Sequence, residues 1–317
     1  MKALVIGAAG FVGNYLIDAI QSDMGCEVCA TKLSNVRYER ADVEVLDLNM
    51  LDETEVTSCL AYTAPDYIFY LAAQSSISLS WENPTLTVEV NVKGSLNLLN
   101  AIRKLKINPR VLLIGSGEEY GLAPPEAVPI KETASLNPQN IYAATKACQN
   151  MMGTIYQSAY GLHLIMTRAF NHIGVGQLDT FVVSDFCHQV ARIEQGLQEP
   201  IIRVGNLQAR RDFTDVRDVV RAYTSLIQFG VPGETYNVGS GHAVAIRSIL
   251  DEIIRKSTGD IQVYVDPRKL RPIDAPVIEA DISKIYAATG WKPCIPLSDT
   301  IDGMLDDWRK KCREDLA

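Results

Sequence analysis

Residues 3–13, ALVIGAAGFVG, decide how the rest of the sequence is interpreted. The apolar run 3–6 predicts a buried strand, and a glycine turn of spacing G-x-x-G-x-x-G follows it directly and opens a stretch with helical spacing. Glycine permits a tight turn and close approach of the backbone to a pyrophosphate, while the N-terminus of a helix offers N–H donors. The residues expected to contact a dinucleotide here are Gly7, Gly10, Phe11, Val12 and Gly13.

Further short apolar runs alternate with amphipathic stretches along the first half of the chain. They predict strands at 28–30, 43–46, 67–71, 110–114 and 164–168. Near-continuous apolar strands separated by helices indicate βαβ units around a parallel sheet that is covered on both faces. The predicted fold class is therefore α/β, a doubly wound parallel sheet of the Rossmann type.

The pattern becomes less regular after about residue 170, where loops and prolines are more frequent. We therefore expect a dinucleotide-binding domain at 1–170 and mainly a smaller substrate-binding lobe at 171–317. A segment near 211–240 is expected to return to the first domain, since 235–238 has the character of a strand that joins the main sheet.

Composition limits the possible partners and compartments. A net charge of −8 argues against a general nucleic-acid or anionic-membrane surface, and no apolar run reaches the roughly 18 residues of a membrane span. Seven scattered cysteines are typical of reduced thiols and favour a cytoplasmic protein. Cys26 and Cys29 form a C-x-x-C within a predicted strand, so we interpret them as structural, and no metal site is predicted.

The end of the second predicted strand bears on the choice of cofactor. An acid there would favour NAD by accepting bonds from the free ribose hydroxyls, but the segment ends at Lys32 without one. Lys32 can pair with a 2′-phosphate, so NADP is preferred, while a solvated surface lysine and the use of NAD stay open.

Tyr142 and Lys146 are the candidate catalytic pair. Residues four apart on a helix share a face, so the spacing Y-x-x-x-K places both side chains toward one pocket. A neighbouring ammonium is expected to lower the pKa of the Tyr142 phenol and make it an acid or base near neutral pH. Ser116 directly follows a predicted strand, at the edge where open α/β sheets bind ligands, so its hydroxyl is expected to hold a substrate oxygen beside Tyr142.

Along nearly its whole length the chain resembles the extended short-chain dehydrogenases/reductases. The resemblance rests on the glycine turn and the Tyr142/Lys146 pair, together with segments that match the family's cofactor contacts. Those segments supply Asp47 and Leu48, Leu71, Ala72 and Ala73, and Asn91. The resemblance implies hydride transfer between a nicotinamide and a sugar carbon, with Tyr142 moving the proton and Lys146 also holding the nicotinamide ribose.

Three residues in the second half are candidates for holding the substrate. Arginine's planar fork suits a diphosphate, and Arg211 and Arg271 are either such ligands or ordinary ion-pair partners of nearby acids. Taken with Asn171, their segments resemble the family members that reduce GDP-sugars. This implies NADPH or NADH delivering hydride to C4 of GDP-4-keto-6-deoxy-D-mannose, to give GDP-D-rhamnose or its C4 epimer.

Three different functions stay open on sequence alone. GDP-mannose 4,6-dehydratases share similar motifs, and Glu118 matches their base; Gly117 stands where they carry an acid or hydroxyl and donates no proton. Glu118 is kept as a candidate catalytic and substrate-binding residue. The sequence is also compatible with an NDP-sugar 4-epimerase and with a catalytically silent cofactor sensor. The resemblance further implies a homodimer that pairs through the helices containing Asn91 and Tyr142.

Overall fold

The structure is a computed structural model that describes residues 1–270 and 273–314. The strands are β1 (Lys2–Ile6), β2 (Glu27–Lys32), β3 (Glu44–Asp47), β4 (Tyr67–Tyr70), β5 (Arg110–Ser116), β6 (Leu164–Ala169), β7 (Asn171–Ile173), β8 (Ile201–Val204), β9 (Arg210–Asp215), β10 (Thr235–Val238), β11 (Ala243–Ala245), β12 (Gln262–Val265) and β13 (Val277–Ile278). The α-helices are α1 (Phe11–Ala19), α2 (Glu53–Thr63), α3 (Ile77–Glu82), α4 (Pro84–Val88), α5 (Gly94–Leu105), α6 (Ile141–Tyr160), α7 (Val182–Glu194), α8 (Val216–Phe229), α9 (Ile246–Arg255), α10 (Ser283–Thr289) and α11 (Leu297–Glu314).

A seven-stranded sheet forms the centre of the molecule, in the order β10-β6-β5-β4-β1-β2-β3, with all neighbours parallel. The predicted α/β class and the six predicted strands of the first half are confirmed. The chain runs outward from β1 to β3 and then crosses to β4 on the other side of β1. Ligands of open α/β sheets bind beside such a reversal, outside the carboxyl ends of the strands.

Both faces of this sheet are buried, which explains the near-continuous apolar runs in the sequence. One core lies under α1 and α8, and the other lies under α2 and α5. Cys26 packs into the first core and Cys29 into the second, so the C-x-x-C side chains point to opposite faces. Burial raises the pKa of the Cys29 thiol to about 12, as expected for a structural cysteine.

The chain comes back to the main sheet after the first elements of the smaller body. Strand β10 pairs in parallel with β6, and α8 packs against α1. A second return was not predicted: α10 packs against α8 and β10, and Ile285 and Trp291 join the same core. The indole N–H of Trp291 donates to the carbonyl of Asp218, 2.9 Å away, which ties this late segment to α8.

The remaining elements build a smaller body beside the sheet. Strands β11, β9 and β13 pair in that order with β7 on β9, while β8 pairs with β12. Helix α11 packs along α7, and a separate apolar core fills the space between these helices and α9. Within residues 1–270 and 273–314, no helix combines the length and the apolar character that a membrane crossing needs.

Candidate active site

The glycine turn joins β1 to α1 and leaves no room for a side chain at Gly7 or Gly13. Gly7 has a φ of +86°, in the left-handed region, and a Cβ at Gly13 would lie 1.8 Å from the carbonyl oxygen of Ala8. The amide of Gly7 donates to the Thr31 hydroxyl over 3.2 Å, which anchors the turn to β2. Helix α1 begins behind Gly10 without a side-chain cap, so N–H groups of its first turn are available to an anion.

The segment after β4 lies directly against this turn. A Cβ at Gly7 would lie 2.8 Å from the backbone of Ala72, and the amide of Leu71 donates to the Ile6 carbonyl over 2.9 Å. The structure therefore brings two of the predicted cofactor segments together at the point where the strand order reverses.

Lys32 lies at the end of β2, where the sequence predicted a cofactor contact. Its ammonium donates to a carboxylate oxygen of Asp47 over 2.6 Å, so the two residues predicted to contact the adenosine end of the cofactor form an ion pair. Asp47 ends β3, which pairs with β2 and so brings the two side chains together. In this structure the positive charge of Lys32 is balanced by Asp47.

Asn91 joins two segments of the site through hydrogen bonds that its motif alone did not predict. It is fully buried in the π-helical turn Glu89–Lys93, between α4 and α5. Its side chain accepts from the amide of Gln74 over 2.8 Å and donates to the Thr145 hydroxyl over 2.9 Å. Asn91 thus connects the segment after β4 to α6, the helix with the catalytic pair.

Helix α6 starts at the edge of the cleft. The Asn140 side chain caps it by accepting from the amide of Ala143 over 2.8 Å. This start places Tyr142 in the first turn and Lys146 one turn later. The Asn140 amide also donates to a Glu118 carboxylate oxygen over 3.3 Å, so the cap touches the turn that follows β5.

Ser116 is the last residue of β5 and the cap of the short 3-10 helix Gly117–Tyr120. Its hydroxyl oxygen accepts from the amide of Glu118 over 3.2 Å, which leaves the hydroxyl proton to be donated elsewhere. The Ser116 side chain is close enough to the Tyr142 phenol to oppose the rise of its pKa, so the two side chains are neighbours. Their catalytic roles stay predictions.

The predicted direction of the Tyr142 pKa shift was wrong. The pKa is raised above its ordinary value because the phenolate is desolvated, while the hydrogen bond with Ser116 opposes the rise and the charges of Glu118 and Glu119 add to it. The expectation considered only the charge of Lys146 and not the environment of the phenol. Tyr142 is thus a phenol that holds its proton at neutral pH.

Lys146 is buried, and its ammonium donates to the carbonyl of Ile114 over 2.7 Å and to the side-chain oxygen of Gln149 over 3.2 Å. Burial lowers the pKa of Lys146 to about 8, against a smaller rise from the charge of Glu119. The Lys146 ammonium is thus held by two neutral acceptors, the Ile114 carbonyl of β5 and the Gln149 side chain of α6.

A cleft opens beside these groups, between the end of β5 and the smaller body. Its polar lining includes Glu118, Asn140, Arg211 and Asp274. Arg211 is buried in β9 and pairs with the Asp274 carboxylate, and it also donates to the Ala275 carbonyl over 2.7 Å. Arg211 is thus an ion-pair partner that also lines the cleft, and its role as a diphosphate ligand stays a prediction.

The two remaining predicted substrate residues differ in what the structure shows of them. Asn171 begins β7 and is partly buried, opposite Phe213 of β9. Arg271 lies outside the described residues. The geometry therefore brings Ser116, Glu118, Tyr142 and Arg211 to one region, and the roles predicted for Asn171 and Arg271 stay predictions.

Sequence reasoning missed one functional candidate, the buried carboxylate of Glu119. Glu119 forms an ion pair with Arg168, whose Nε lies 2.9 Å from the carboxylate. The sequence did contain a hint, which is the pair of consecutive glutamates after β5. Residues that are adjacent in the sequence of a short helical turn point in different directions, so the two glutamates have different surroundings. Without a structure there was no way to know that Arg168 lies beside Glu119.

The family model described as GDP-mannose 4,6 dehydratase matches residues 4–304. The GDP-6-deoxy-D-mannose reductase of Pseudomonas aeruginosa is 33% identical over 314 residues, which cover 99% of each chain. GDP-mannose 4,6 dehydratase 1 of Arabidopsis thaliana is 30% identical over 330 residues, which cover 96% of this chain and 89% of the plant protein. The solved structure of RMD from Pseudomonas aeruginosa complexed with NADPH is similar with a TM-score of 0.86 at 30% identity, covering 98% of this chain and 99% of RMD.

The burial of Lys146 predicts a pH-dependent gain of stability in Lys146→Met. Near pH 7 the ammonium is charged in both the folded and the unfolded chain, so its desolvation opposes folding, and the free energy of unfolding of the variant should be higher by about 3 kcal/mol. As the pH rises through about 8 toward the ordinary value of 10.5, folded wild-type protein loses this proton first and its disadvantage fades.

Chemical unfolding of both proteins across this pH range measures the effect. Lys104→Met, a change at an exposed lysine of α5, is the matched control and should show no such trend. A stability difference for Lys146→Met that stays constant with pH would contradict the assigned burial of the charge.

Proposed function

This chain belongs to the GDP-mannose 4,6-dehydratase family of extended short-chain dehydrogenases/reductases, and we propose that it reduces the C4 ketone of GDP-4-keto-6-deoxy-D-mannose to GDP-D-rhamnose with NADPH. The observation that carries the proposal is a complete Ser116, Tyr142 and Lys146 group beside a glycine, Gly117, that has no proton to donate. Reduction needs one hydride and one proton, and this set of residues provides for the proton.

The residues around the glycine turn fit a dinucleotide. A side chain at Gly7 or Gly13 would strike backbone atoms, and the start of α1 has no side-chain cap that would compete with a phosphate. NADPH, when bound, supplies the hydride for C4 of the sugar. We propose that Lys32 binds the 2′-phosphate of NADPH, for which it would give up its ion pair with Asp47. NADH, which lacks this phosphate, is the alternative if breaking the ion pair is unfavourable.

The chain's own residues orient the ketone oxygen and donate the proton. In our proposal the Ser116 hydroxyl orients the ketone oxygen, and Tyr142 donates its proton to this oxygen as the C4 carbonyl becomes an alkoxide. The raised pKa of Tyr142 keeps the phenol protonated before the reaction, as an acid requires. The buried ammonium of Lys146 supplies positive charge near the phenolate that remains, which then regains a proton from solvent.

The dehydratase alternative is disfavoured by the surroundings of Gly117. A dehydratase must remove a proton at C5 and protonate a departing hydroxyl, so it needs an acid beside Glu118. A Cβ at Gly117 would lie 3.0–3.1 Å from three atoms of the Phe170 ring, so the aromatic ring fills the place of such a side chain.

The 4-epimerase alternative is weakened by the end of β2, which ends at Lys32 and has no acid that would favour a tightly held NAD. An epimerase of this family must first oxidise a C4 hydroxyl, with the tyrosine as base. The same Tyr142 can donate a proton in a reduction and accept one in an oxidation, so this residue alone does not separate the two reactions. A silent cofactor sensor would bind NADPH without turning over any sugar, and this absence of turnover distinguishes it from a reductase.

We propose that the GDP part of the substrate is held by Arg211, Asn171 and Arg271, with the smaller body as the substrate lobe. Support comes from the position of Arg211, which presents a buried guanidinium to the cleft that Glu118 also lines. An incoming diphosphate would share this guanidinium with Asp274.

We also propose that the protein is a cytoplasmic homodimer. The seven cysteines are free thiols, as expected in a reducing compartment. Helix α6 presents Met151 and Ile155, one turn apart and each 58% exposed, on its outer side. Val88 at the end of the adjacent α4 is 45% exposed, which extends the apolar surface. A second copy with the same surface would cover these side chains.

Removing the Tyr142 hydroxyl tests the proposed chemistry. With GDP-4-keto-6-deoxy-D-mannose as substrate, the wild type should oxidise NADPH, and more slowly NADH, while Tyr142→Phe should lower kcat by about 10²- to 10⁴-fold because the proton donor is lost. Binding of NADPH, followed by fluorescence, should change little. Tyr160→Phe, the same change at a half-exposed site on the same helix, is the control.

Two results would count against this assignment. Wild-type protein that binds NADPH but turns over neither the keto sugar nor GDP-mannose would point to the sensor. Full activity in Tyr142→Phe would remove Tyr142 from the proposed role.

A charge in the apolar surface of α6 tests the homodimer. Ile155→Glu should convert a dimer into a monomer, since burying an unpaired carboxylate in an interface is unfavourable by several kcal/mol. Light scattering after size-exclusion chromatography measures the mass. Phe229→Glu, at a similarly exposed apolar residue of α8, should remain dimeric. A monomeric wild type would contradict the proposal.

A further inference from the structure

The turn after β5 contains a carboxylate that the proposed reaction does not use. Glu118 lines the cleft, whereas its neighbour Glu119 has no exposed surface. Two consecutive glutamates thus face opposite directions from one short 3-10 helix, and the inner one lies directly behind Ser116.

Three donors from three elements converge on Glu119. The backbone amide of Ser116 donates to one carboxylate oxygen over 2.8 Å, and Arg168 of β6 donates from Nε to the other over 2.9 Å. The side-chain amide of Asn150, on α6, donates to both oxygens over 2.9 and 3.0 Å. A carboxylate has only acceptors, so it can satisfy all three, whereas an amide brings two donors of its own.

The bond to Ser116 links this buried group to the reacting region. The Glu119 carboxylate holds the Ser116 amide while the Ser116 hydroxyl accepts from the amide of Glu118, which together form a reciprocal cap of the turn. With its backbone fixed and its oxygen lone pair engaged, the Ser116 hydroxyl has a restricted orientation toward Tyr142.

We propose that Glu119 is a positioning residue, which fixes Ser116 for the reaction by accepting the hydrogen bond of its backbone amide. The inference rests on the function proposed above for Ser116. A purely structural role would depend on the ion pair of Glu119 with Arg168. That pair would stabilise the fold whether or not the Ser116 amide had an acceptor.

Two double variants separate these roles. Glu119→Gln/Arg168→Met removes both charges and keeps a side-chain oxygen for the Ser116 amide. Glu119→Leu/Arg168→Met removes the same charges and leaves this amide without an acceptor. Replacing both members of a buried ion pair avoids the unpaired charge that a single change would leave.

The experiment measures kcat and KM for GDP-4-keto-6-deoxy-D-mannose, NADPH binding, and hydrogen exchange of the Ser116 amide. The glutamine double variant should stay within a few-fold of wild-type kcat. The leucine double variant should lose about 10²-fold in kcat, as expected for a misplaced catalytic group, with little change in KM or NADPH binding. Its Ser116 amide should also exchange at least about tenfold faster.

Equal kcat values and equal Ser116 exchange rates in the two double variants would overturn the proposal. If wild-type protein does not turn over the keto sugar, the proposed function fails. The exchange rates of the Ser116 amide in the two double variants then still show whether Glu119 fixes Ser116. Should the leucine variant not fold, Glu119→Asp takes its place, since it keeps the charge opposite Arg168 but is one methylene shorter. A kcat and a Ser116 exchange rate equal to those of the wild type would then overturn the proposal.

Discussion

The close approach of backbone to backbone at Gly7 and Gly13 is the constraint on which the rest of the site depends. A side chain at Gly7 would strike Ala72, and one at Gly13 would strike Ala8. The turn can therefore lie at the reversal of strand order, where β1 and β4 end side by side. Because the strands are parallel, the ends of β5 and β6 reach the same edge and bring Ser116 and Arg168 to it. The proposed chemistry is assembled from residues that this one edge collects.

Much of this architecture could be predicted from the sequence, because strands buried on both faces appear as apolar runs. The run 235–238 was recognisable for the same reason, although it lies about seventy residues from its partner β6 in the chain. The return of α10 was not, since Ser283–Thr289 is a short helix in which Ile285 is the one buried residue. Its position depends on packing against α8, which no local pattern encodes.

The candidate site was predictable in its residue types and less so in its electrostatics. The spacing of Tyr142 and Lys146 placed both on one face of a helix, but the raised pKa of Tyr142 depends on desolvation and on the charges of Glu118 and Glu119, which the spacing does not contain. The partners of Lys32 and Arg211, Asp47 and Asp274, lie 15 and 63 residues away in the chain. These contacts determine whether a cation is available to a ligand. The position beside Glu118 favours reduction, since Gly117 is packed under the Phe170 ring and its place cannot supply the acid that a dehydratase needs.

The most direct test of the reductase assignment offers both candidate substrates at once. Wild-type protein would be incubated with GDP-mannose, GDP-4-keto-6-deoxy-D-mannose and NADPH that carries deuterium at the transferable position, and the products would be examined by mass spectrometry and NMR. The account predicts that the keto sugar gains deuterium at C4 together with one proton on oxygen, and that GDP-mannose is recovered unchanged. Loss of water from GDP-mannose, with the keto sugar left unlabelled, would contradict it.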